Sequence, residues 1–417
     1  MIKCRFKNTR FAPMNAPVPT SLLAAVELAP RDPILGVTEA FNADTNPNKV
    51  NLGVGVYYDD TGKVPLLECV RRAEQAIAQK GAPHPYLPID GIAAYDGAVQ
   101  QLLFGADSKV VKEGRVITVQ ALGGTGALKV AADFLRKYLP SAEVWISDPS
   151  WENHRALFES ANFSVRAYPY YDEATHGVDF AAMHAALEDA EPDSIIVLHA
   201  CCHNPTGADL SDEQWSSVIE LVRRRGLVPV LDIAYQGFSQ GLAADGAIVR
   251  RFAATPGPLF VTSSFSKSFS LYGERVGALS VVAANRDEAT RYLSQLKRVI
   301  RANYSTPPTF GGQIVATVLA SPELHSLWER ELETMRTRIL SNRKALVAAL
   351  KKRAPCRDFD FVLKQHGMFS YSGLTSEQVT RLRREFSVYA IDTGRICVAA
   401  LNSRNLDYVA DAIAKVL

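Results

Sequence analysis

Short apolar segments alternate with amphipathic segments through the middle of the chain, between about residue 115 and residue 282. The amphipathic segment after the first of them carries Leu128, Ala131 and Leu135 three to four residues apart, which is the spacing of one helical face. Strands that alternate with helices along a chain form β-α-β units. The pattern therefore predicts an α/β fold, with a mostly parallel sheet flanked by helices. The predicted strands are residues 115–120, 143–146, 194–198, 228–231, 259–262 and 278–282.

The C-terminal part of the chain has a different pattern. Residues 324–352 keep apolar residues at helical spacing over a long segment, from Trp328 to Leu350. Strand-like residues 368–370, a helix from about Ser376 and strand-like residues 396–399 follow. This mixture predicts a smaller α+β unit.

Composition and charge exclude several classes of protein. The 417 residues carry 46 Lys and Arg against 44 Asp and Glu, so the formal net charge is +2 and offers no field that would attract nucleic acid or an anionic membrane. Apolar residues make up 47% of the chain, too many for a disordered one, and no apolar stretch approaches the roughly 18 to 20 residues of a spanning helix. We expect a soluble globular protein without nucleic-acid or membrane partners.

The cysteines favour a reducing compartment, and we expect a cytoplasmic location. There are six, too few for a disulfide scaffold, and none forms a CxxC pair. His199, Cys201, Cys202 and His203 crowd together, which raises the question of a metal site. We predict no metal there, because adjacent cysteines on a strand point to opposite faces and no second ligand cluster is evident.

Residues 1–26 contain four basic residues and no acidic one before Glu27. They lack the apolar core and cleavage site of a secretion signal. We expect a loose N-terminal tail, in which Met14 is an alternative start.

Unusual polar residues directly follow five of the predicted strands. In open α/β sheets, ligands bind at the carboxyl ends of the strands, so we expect these segments to meet at one site. The segments are residues 123–126 (GGTG), 148–151 (DPSW) and 203–207 (HNPTG), Asp232 with Tyr235, and residues 264–267 (SFSK).

The glycine-rich segment 123–126 lies between a strand and a helix, where backbone N–H groups and the positive end of the helix can bind a phosphate. A simple tight turn is the alternative. Lys129 stands where the third glycine of a dinucleotide-binding fingerprint would be, so that class of site is excluded.

Lys267 is the candidate nucleophile. Most lysines are solvated surface charges, but this one follows a predicted strand, near small hydroxyl residues and Arg275. An amine desolvated close to another cation has a lowered pKa and reacts with carbonyls, so a Schiff base with a phosphorylated aldehyde would use these groups together. Asp232 is either a helix cap or the partner of a cationic ring nitrogen, which pyridoxal phosphate requires.

The sequence resembles the aspartate and aromatic-amino-acid aminotransferases, which are class I pyridoxal-phosphate enzymes of fold type I. The resemblance covers the chain from residue 32 to the C-terminus. It rests on an ordered set of motifs: residues 51–57 (NLGVGVY), 85–91 (PYLPIDG), 123–126, 150–154 (SWENH), 203–207, 232–235 (DIAY), 264–267, 273–275 (GER), 300–308 (IRANYSTPP) and 393–397 (TGRIC).

The resemblance implies a role for each residue of a pyridoxal-phosphate site. Lys267 would hold the cofactor as a Schiff base and shuttle the proton, and Asp232, supported by His154, would pair with the ring nitrogen. Asn204 and Tyr235 would bond the ring hydroxyl, Trp151 would stack on the ring, and the bond between Asn204 and Pro205 is a candidate cis peptide. The residues implied for the phosphate are Gly124, Thr125, Ser264, Ser266, Arg275 and, from a second subunit, Tyr86.

Substrate carboxylates favour bidentate guanidinium groups. By the resemblance, Arg395 would bind the α-carboxylate, with help from Asn204, the backbone at Gly55 and the neighbouring Trp151. Arg301 of a second subunit would bind the distal carboxylate of a dicarboxylic substrate. A homodimer with shared active sites follows. The expected division of the chain is a tail of residues 1–26, a large cofactor-binding domain of residues 58–312, and a small domain of residues 27–57 and 313–417.

Several segments look more like the bacterial aromatic-amino-acid enzymes, among them residues 86–91, 103–107 (LFGAD), 269–275 (FSLYGER) and 397–402 (CVAALN). We therefore expect ping-pong transfer of the amino group of tyrosine, phenylalanine and also aspartate to 2-oxoglutarate. The alternatives are a strict aspartate aminotransferase, another pyridoxal-phosphate reaction on the same fold, and a non-catalytic protein that keeps the fold.

Overall fold

The structure is a computed structural model that describes residue 21, residues 23–29 and residues 34–417. Most of the predicted tail, and the first residues of the family resemblance at 32 and 33, lie outside these residues. The described helices are α1 (Leu35–Ala43), α2 (Glu68–Lys80), α3 (Ala93–Phe104), α4 (Lys109–Lys112), α5 (Gly123–Tyr138), α6 (Glu152–Ser160), α7 (Phe180–Glu188), α8 (Asp212–Arg224), α9 (Leu242–Asp245), α10 (Ala247–Ala253), α11 (Arg286–Asn303), α12 (Phe310–Ala320), α13 (Pro322–Arg353), α14 (Ser376–Phe386) and α15 (Leu406–Val416).

The strands form one large sheet and three small ones. The large sheet has the order β2-β10-β9-β8-β7-β3-β4. Only β10 runs antiparallel to its neighbours, so the predicted α/β fold with a mostly parallel sheet is confirmed. The strands are β1 (Val50–Asn51), β2 (Val116–Leu122), β3 (Glu143–Asp148), β4 (Ser164–Pro169), β5 (Tyr171–Asp172), β6 (Gly177–Val178), β7 (Ile195–His199), β8 (Val228–Ile233), β9 (Leu259–Ser264), β10 (Val276–Val282), β11 (Phe369–Tyr371), β12 (Val388–Tyr389) and β13 (Arg395–Cys397).

Strand β4 is absent from the sequence prediction. It lies at the edge of the sheet, and most of its residues are exposed or half-buried, whereas β8, β9 and β10 are buried along their whole length. A central parallel strand covered on both faces gives a continuous apolar segment, but an exposed edge strand does not. The apolar pattern therefore contains no signal for β4.

Helix α13 confirms the long helix predicted over residues 324–352. Its N-cap Ser321 accepts a hydrogen bond from the Leu324 amide, and a proline follows at the first helical position. Trp328 is fully buried, stacks on Phe269 with 4.5 Å between the rings, and donates a hydrogen bond of 2.7 Å to the carbonyl oxygen of Ser268. The helix thus supports the loop that follows β9.

One small sheet joins the N-terminal and C-terminal parts of the described chain, and another lies within the C-terminal part. Strand β1 pairs in parallel with β12, and β11 pairs antiparallel with β13. The predicted strand over residues 396–399 is shorter than expected, since it ends at Cys397 and a 3-10 helix, Val398–Ala400, follows. The domain boundaries stay a prediction.

Among the described residues, no helix is long and apolar enough to span a membrane.

Candidate active site

The carboxyl ends of β3, β7, β8 and β9 and the amino end of α5 border one cavity of about 440 Å³. The predicted convergence of the five polar segments is therefore confirmed. All the predicted site residues line this cavity except His154, Tyr86 and Arg301. The lining residues are Ile34, Val54, Gly55, Val56, Gly124, Thr125, Trp151, His199, Asn204, Asp232, Ala234, Tyr235, Ser264, Ser266, Lys267, Tyr272, Arg275, Phe369 and Arg395.

Lys267 places its amine inside the cavity, above the ring of Tyr235 at 4.8 Å from the ring centre. Within the described part of the chain, its Nζ makes no hydrogen bond. Burial lowers the pKa of Lys267 to about 8, Asp232 opposes the shift and Arg275 adds to it. About a tenth of the amine is therefore neutral, and so nucleophilic, at pH 7, far more than for an ordinary lysine.

Asp232 lies near the end of β8 and is held by two hydrogen bonds. His154 Nε2 donates to Oδ2 at 3.0 Å, and Thr262 Oγ1 donates to Oδ1 at 3.0 Å. Ser150 joins the other ring nitrogen of His154 at 3.0 Å. Burial alone would raise the pKa of Asp232, but the bond from His154 and the neighbouring His199 and Thr262 bring this pKa below its ordinary value. The carboxylate is therefore a fixed negative charge.

The amino end of α5 forms the opposite end of the cavity, together with Arg275 and two serines. Arg275 Nη1 donates to Ser266 Oγ at 3.4 Å, and Ser264 Oγ accepts from the Ser266 amide at 3.3 Å. Gly123 has a φ of +67°, and a Cβ there would lie 2.7 Å from Arg275 Nη2. Only glycine lets the guanidinium approach this helix end, where backbone N–H groups and a cation favour an anion.

Arg395, at the start of β13, is fully buried yet has no carboxylate partner among the described residues. It donates to Asn204 Oδ1 at 3.0 Å and to the Gly53 carbonyl at 2.7 Å, and its Nε has no hydrogen-bond partner. A buried guanidinium with unused donors at a cavity wall is suited to a carboxylate from outside the chain.

Sequence reasoning missed several lining residues. Phe369 lies within a predicted strand, His199 ends one, and Tyr272 belongs to a motif already quoted. The position of His199 at the end of a predicted strand could have indicated a site residue, since Asp232 was predicted from the same kind of position. Burial lowers the pKa of His199 to about 3, and a ring nitrogen of His199 lies within 4.8 Å of an Asp232 oxygen.

Tyr86 and Arg301 lie outside the cavity of their own chain. The Tyr86 side chain is 95% exposed, and Arg301 is exposed on α11, where it donates to Ser305 Oγ. The structure therefore does not bring either residue to the other predicted site residues within one chain.

Cys201 and Cys202 do not point to opposite faces of a strand, and the prediction that they do is wrong. Both cysteines come after the end of β7, and Cys202 has a φ of +53°, so they do not alternate across a strand. Their sulfurs and an Asp245 oxygen lie within 4.8 Å of one another, as do ligand atoms of His154, His199 and Asp232. Hydrogen bonds already account for the two carboxylates of these clusters without a metal. Asp245 accepts three backbone N–H bonds, from residues 237, 239 and 240, and Asp232 accepts the bonds from His154 and Thr262.

Comparison with known proteins identifies the class. The model of the family "Aminotransferase class I and II" matches residues 47–413, and the chain belongs to this family. The chain is 60% identical over 397 residues to an aspartate aminotransferase of Pseudomonas aeruginosa, covering 95% of this chain and all of that protein. It is 52% identical over 387 residues to an aromatic-amino-acid aminotransferase of Escherichia coli, covering 93% and 98%.

A solved structure agrees over nearly the whole chain. An aromatic-amino-acid aminotransferase from Burkholderia pseudomallei, covalently bound to pyridoxal phosphate, superposes with a TM-score of 0.94 at 66% identity, covering 95% of this chain and all of that one. The predicted family and fold type are confirmed.

Proposed function

We propose that this protein is a pyridoxal-phosphate-dependent aminotransferase that acts on aromatic amino acids and aspartate, with 2-oxoglutarate as the amino acceptor. The main support for this proposal is the arrangement of three groups in the cavity. The Lys267 amine, whose pKa is lowered to about 8, lies in one cavity with the fixed carboxylate of Asp232 and the anion-binding end of α5. The named relatives, which include aspartate and aromatic-amino-acid aminotransferases, support it.

The residues present fit a phosphorylated pyridine aldehyde. Its phosphate would be held by Gly124, Thr125, Ser264, Ser266 and Arg275. A Cβ on Gly124 would lie only 3.3 Å from Ser264 Cβ, so a larger residue at position 124 would narrow this end of the cavity. The other contacts to the cofactor would come from Trp151 over the ring, Asn204 and Tyr235 at the ring hydroxyl, and Asp232, backed by His154, at the ring nitrogen. When bound, pyridoxal phosphate supplies an aldehyde for amine exchange and an electron-accepting ring.

The chain's own groups supply proton transfer and charge. Lys267 Nζ can attack a carbonyl carbon and, when its amine is free again, can accept a proton at Nζ from one carbon atom and donate it to a different one. The negative charge of Asp232 favours a proton on a ring nitrogen that faces it. The hydrogen bonds from His154 and Thr262 to its two oxygens keep the carboxylate ionised. Arg395 orients the α-carboxylate of the substrate, beside Asn204 and Gly55.

A homodimer completes the site in this proposal. Arg301 and Tyr86 are exposed, and each would reach the cavity of a second copy, Tyr86 at the phosphate and Arg301 at the distal carboxylate of a dicarboxylate. The large domain would comprise residues 58–312, and the small domain residues 27–57 and 313–417.

The proposal is tested by measuring kcat/KM for phenylalanine and for aspartate with 2-oxoglutarate as the acceptor. We expect both donors to be used. In Arg301→Leu, kcat/KM for aspartate should fall about 100-fold and that for phenylalanine only a few-fold, because only aspartate loses a charged partner. Arg298→Leu, which removes another exposed arginine of α11, is the matched control.

Two results would contradict the proposal. Equal loss of both substrates in Arg301→Leu would exclude the role of Arg301. A wild-type protein that uses aspartate but no aromatic donor would instead be a strict aspartate aminotransferase, the second candidate, which the Pseudomonas aeruginosa relative favours.

A further inference from the structure

Arg343, in the middle of α13, is a buried cation outside the active-site cavity. Its side chain is 1% exposed and forms no ion pair among the described residues. Burial lowers the pKa of Arg343 to about 10, so it keeps its charge near neutral pH. An unpaired charge in the core is costly unless its donors are satisfied, so its partners need explanation.

All the partners of Arg343 belong to one short segment, residues 362–370. Nη2 donates to the carbonyl oxygens of Gly367 at 2.7 Å and Phe369 at 3.2 Å. Nη1 donates to the Val362 carbonyl at 3.3 Å and to Ser370 Oγ. A planar guanidinium can bond several acceptors at fixed angles, whereas the single ammonium of lysine cannot reach them all.

The segment that Arg343 holds carries Phe369 into the active-site cavity. The Arg395 guanidinium lies over the Phe369 ring, 4.3 Å from its centre. On another side, a Cβ on Gly55 would lie 2.6 Å from Phe369 Cζ, so the ring touches the backbone there. Phe369 also pairs with Cys397 between β11 and β13, two residues from Arg395.

We propose that Arg343 is a positioning residue for the carboxylate subsite: it fixes the backbone around Phe369 and so holds the ring against which Arg395 is oriented. This inference rests on the proposed function. Since every amino-acid substrate has an α-carboxylate, a displaced Arg395 weakens all substrates together. The residues assigned to the cofactor phosphate lie on α5, on and after β9 and before β10. Within the described chain, neither Arg343 nor residues 362–370 form a hydrogen bond to them, since Arg343 bonds only residues 362, 367, 369 and 370.

The test compares Arg343→Lys with Arg223→Lys. Arg223, on α8, is a matched control because it too has no ion pair in the described chain, donates to two carbonyl oxygens and Thr255 Oγ1, and has a pKa lowered to about 10 by burial, yet lies outside the cavity. We expect Arg343→Lys to raise the KM of phenylalanine and of aspartate by about tenfold each, with kcat within about threefold. Cofactor affinity should stay unchanged, and Arg223→Lys should lower the melting temperature without altering either KM.

Unchanged KM values in Arg343→Lys, or an equal rise in Arg223→Lys, would overturn the proposal. If Arg343→Lys does not fold, Ser370→Ala removes one acceptor of Arg343 alone and should raise both KM values about threefold, with unchanged values again contradicting it. A wild-type protein without amino transfer would fail the proposed function instead. Unchanged KM values in the variants and absent amino transfer in the wild type therefore distinguish a wrong role for Arg343 from a wrong function.

Discussion

At the scale of single residues, the charged groups Lys267, Asp232 and Arg395 line the cavity, and buried neighbours such as Phe369 lie beside them. Lys267 and Asp232 could be identified because a charged residue at the end of an apolar strand is unusual, whereas Arg395, at the start of β13, was identified by the family motif alone. Phe369 could not, because an aromatic residue in a short apolar strand looks like any core residue. Arg343 gave no signal either, since an arginine in a long amphipathic helix is expected on its solvent face.

The pKa of Lys267 gives the first prediction. Because Asp232 raises this pKa and Arg275 lowers it, Asp232→Asn should shift it below about 8 and Arg275→Gln above that value. In the protein without cofactor, the rate of reductive methylation of Lys267 should follow the neutral amine and rise with pH through about 8.

Peptide mass spectrometry measures that rate residue by residue. Lys109, exposed on α4, reports the reactivity of the reagent in the same sample. Shifts of the same sign in both variants would show that Asp232 and Arg275 do not act through their charges.

At the scale of elements, the apolar pattern predicted the central strands and α13, and it failed where burial is one-sided. Strand β4, at the edge of the sheet, was not predicted. Strand β13 is shorter than predicted because a 3-10 helix begins at Val398. The glycine-rich segment illustrates what a pattern can and cannot give. Its position before a helix predicted an anion site, but only the structure shows that Gly123 makes room for Arg275.

Gly123→Ala tests that observation. Both Gly123 and Gly226 have left-handed φ angles, +67° and +66°, but a Cβ on Gly226 meets nothing within 4 Å. We expect Gly123→Ala and Gly226→Ala each to lose about 1 kcal/mol of unfolding free energy, since alanine is strained there.

Only Gly123→Ala should also lose affinity for pyridoxal phosphate, because its methyl group displaces Arg275. Titration of the visible absorbance of each variant with the cofactor measures this affinity. Equal affinity in the two variants would exclude Arg275 as a phosphate ligand.

Trp328→Phe tests the support that α13 gives to the Lys267 loop. It leaves the buried Ser268 carbonyl without its donor and should cost about 1–3 kcal/mol more than Trp145→Phe in urea unfolding. Trp145 is the matched control because its buried Nε1 has no hydrogen-bond partner. A similar loss in the two variants would show that the hydrogen bond contributes nothing.

At the scale of the whole molecule, the near-neutral net charge is uninformative about the site. The cations proposed to bind the phosphate and the two carboxylates are only a few of the 46 Lys and Arg residues, and a total charge of +2 cannot reveal them. The single chain also leaves Tyr86 and Arg301 outside its own cavity, which no pattern in one sequence could resolve without the family.

Mixed dimers test the shared site. In a hybrid of Lys267→Ala with Arg301→Leu, the site that keeps Lys267 receives an intact Arg301 from the other chain, so aspartate turnover should recover to about half of the wild-type value per dimer. Each homodimer alone should be nearly inactive toward aspartate. No recovery in the hybrid would place Arg301 in the site of its own chain.

In the proposed function, Lys267 is the residue of this cavity that forms the Schiff base with pyridoxal phosphate. Borohydride reduction of the protein loaded with pyridoxal phosphate, followed by peptide mass spectrometry, tests it most directly. We expect a pyridoxyl mass on Lys267 alone, and no label and no amino transfer in Lys267→Ala. Label on a different lysine, such as Lys129 beside the glycine-rich segment, or full turnover by Lys267→Ala, would contradict it.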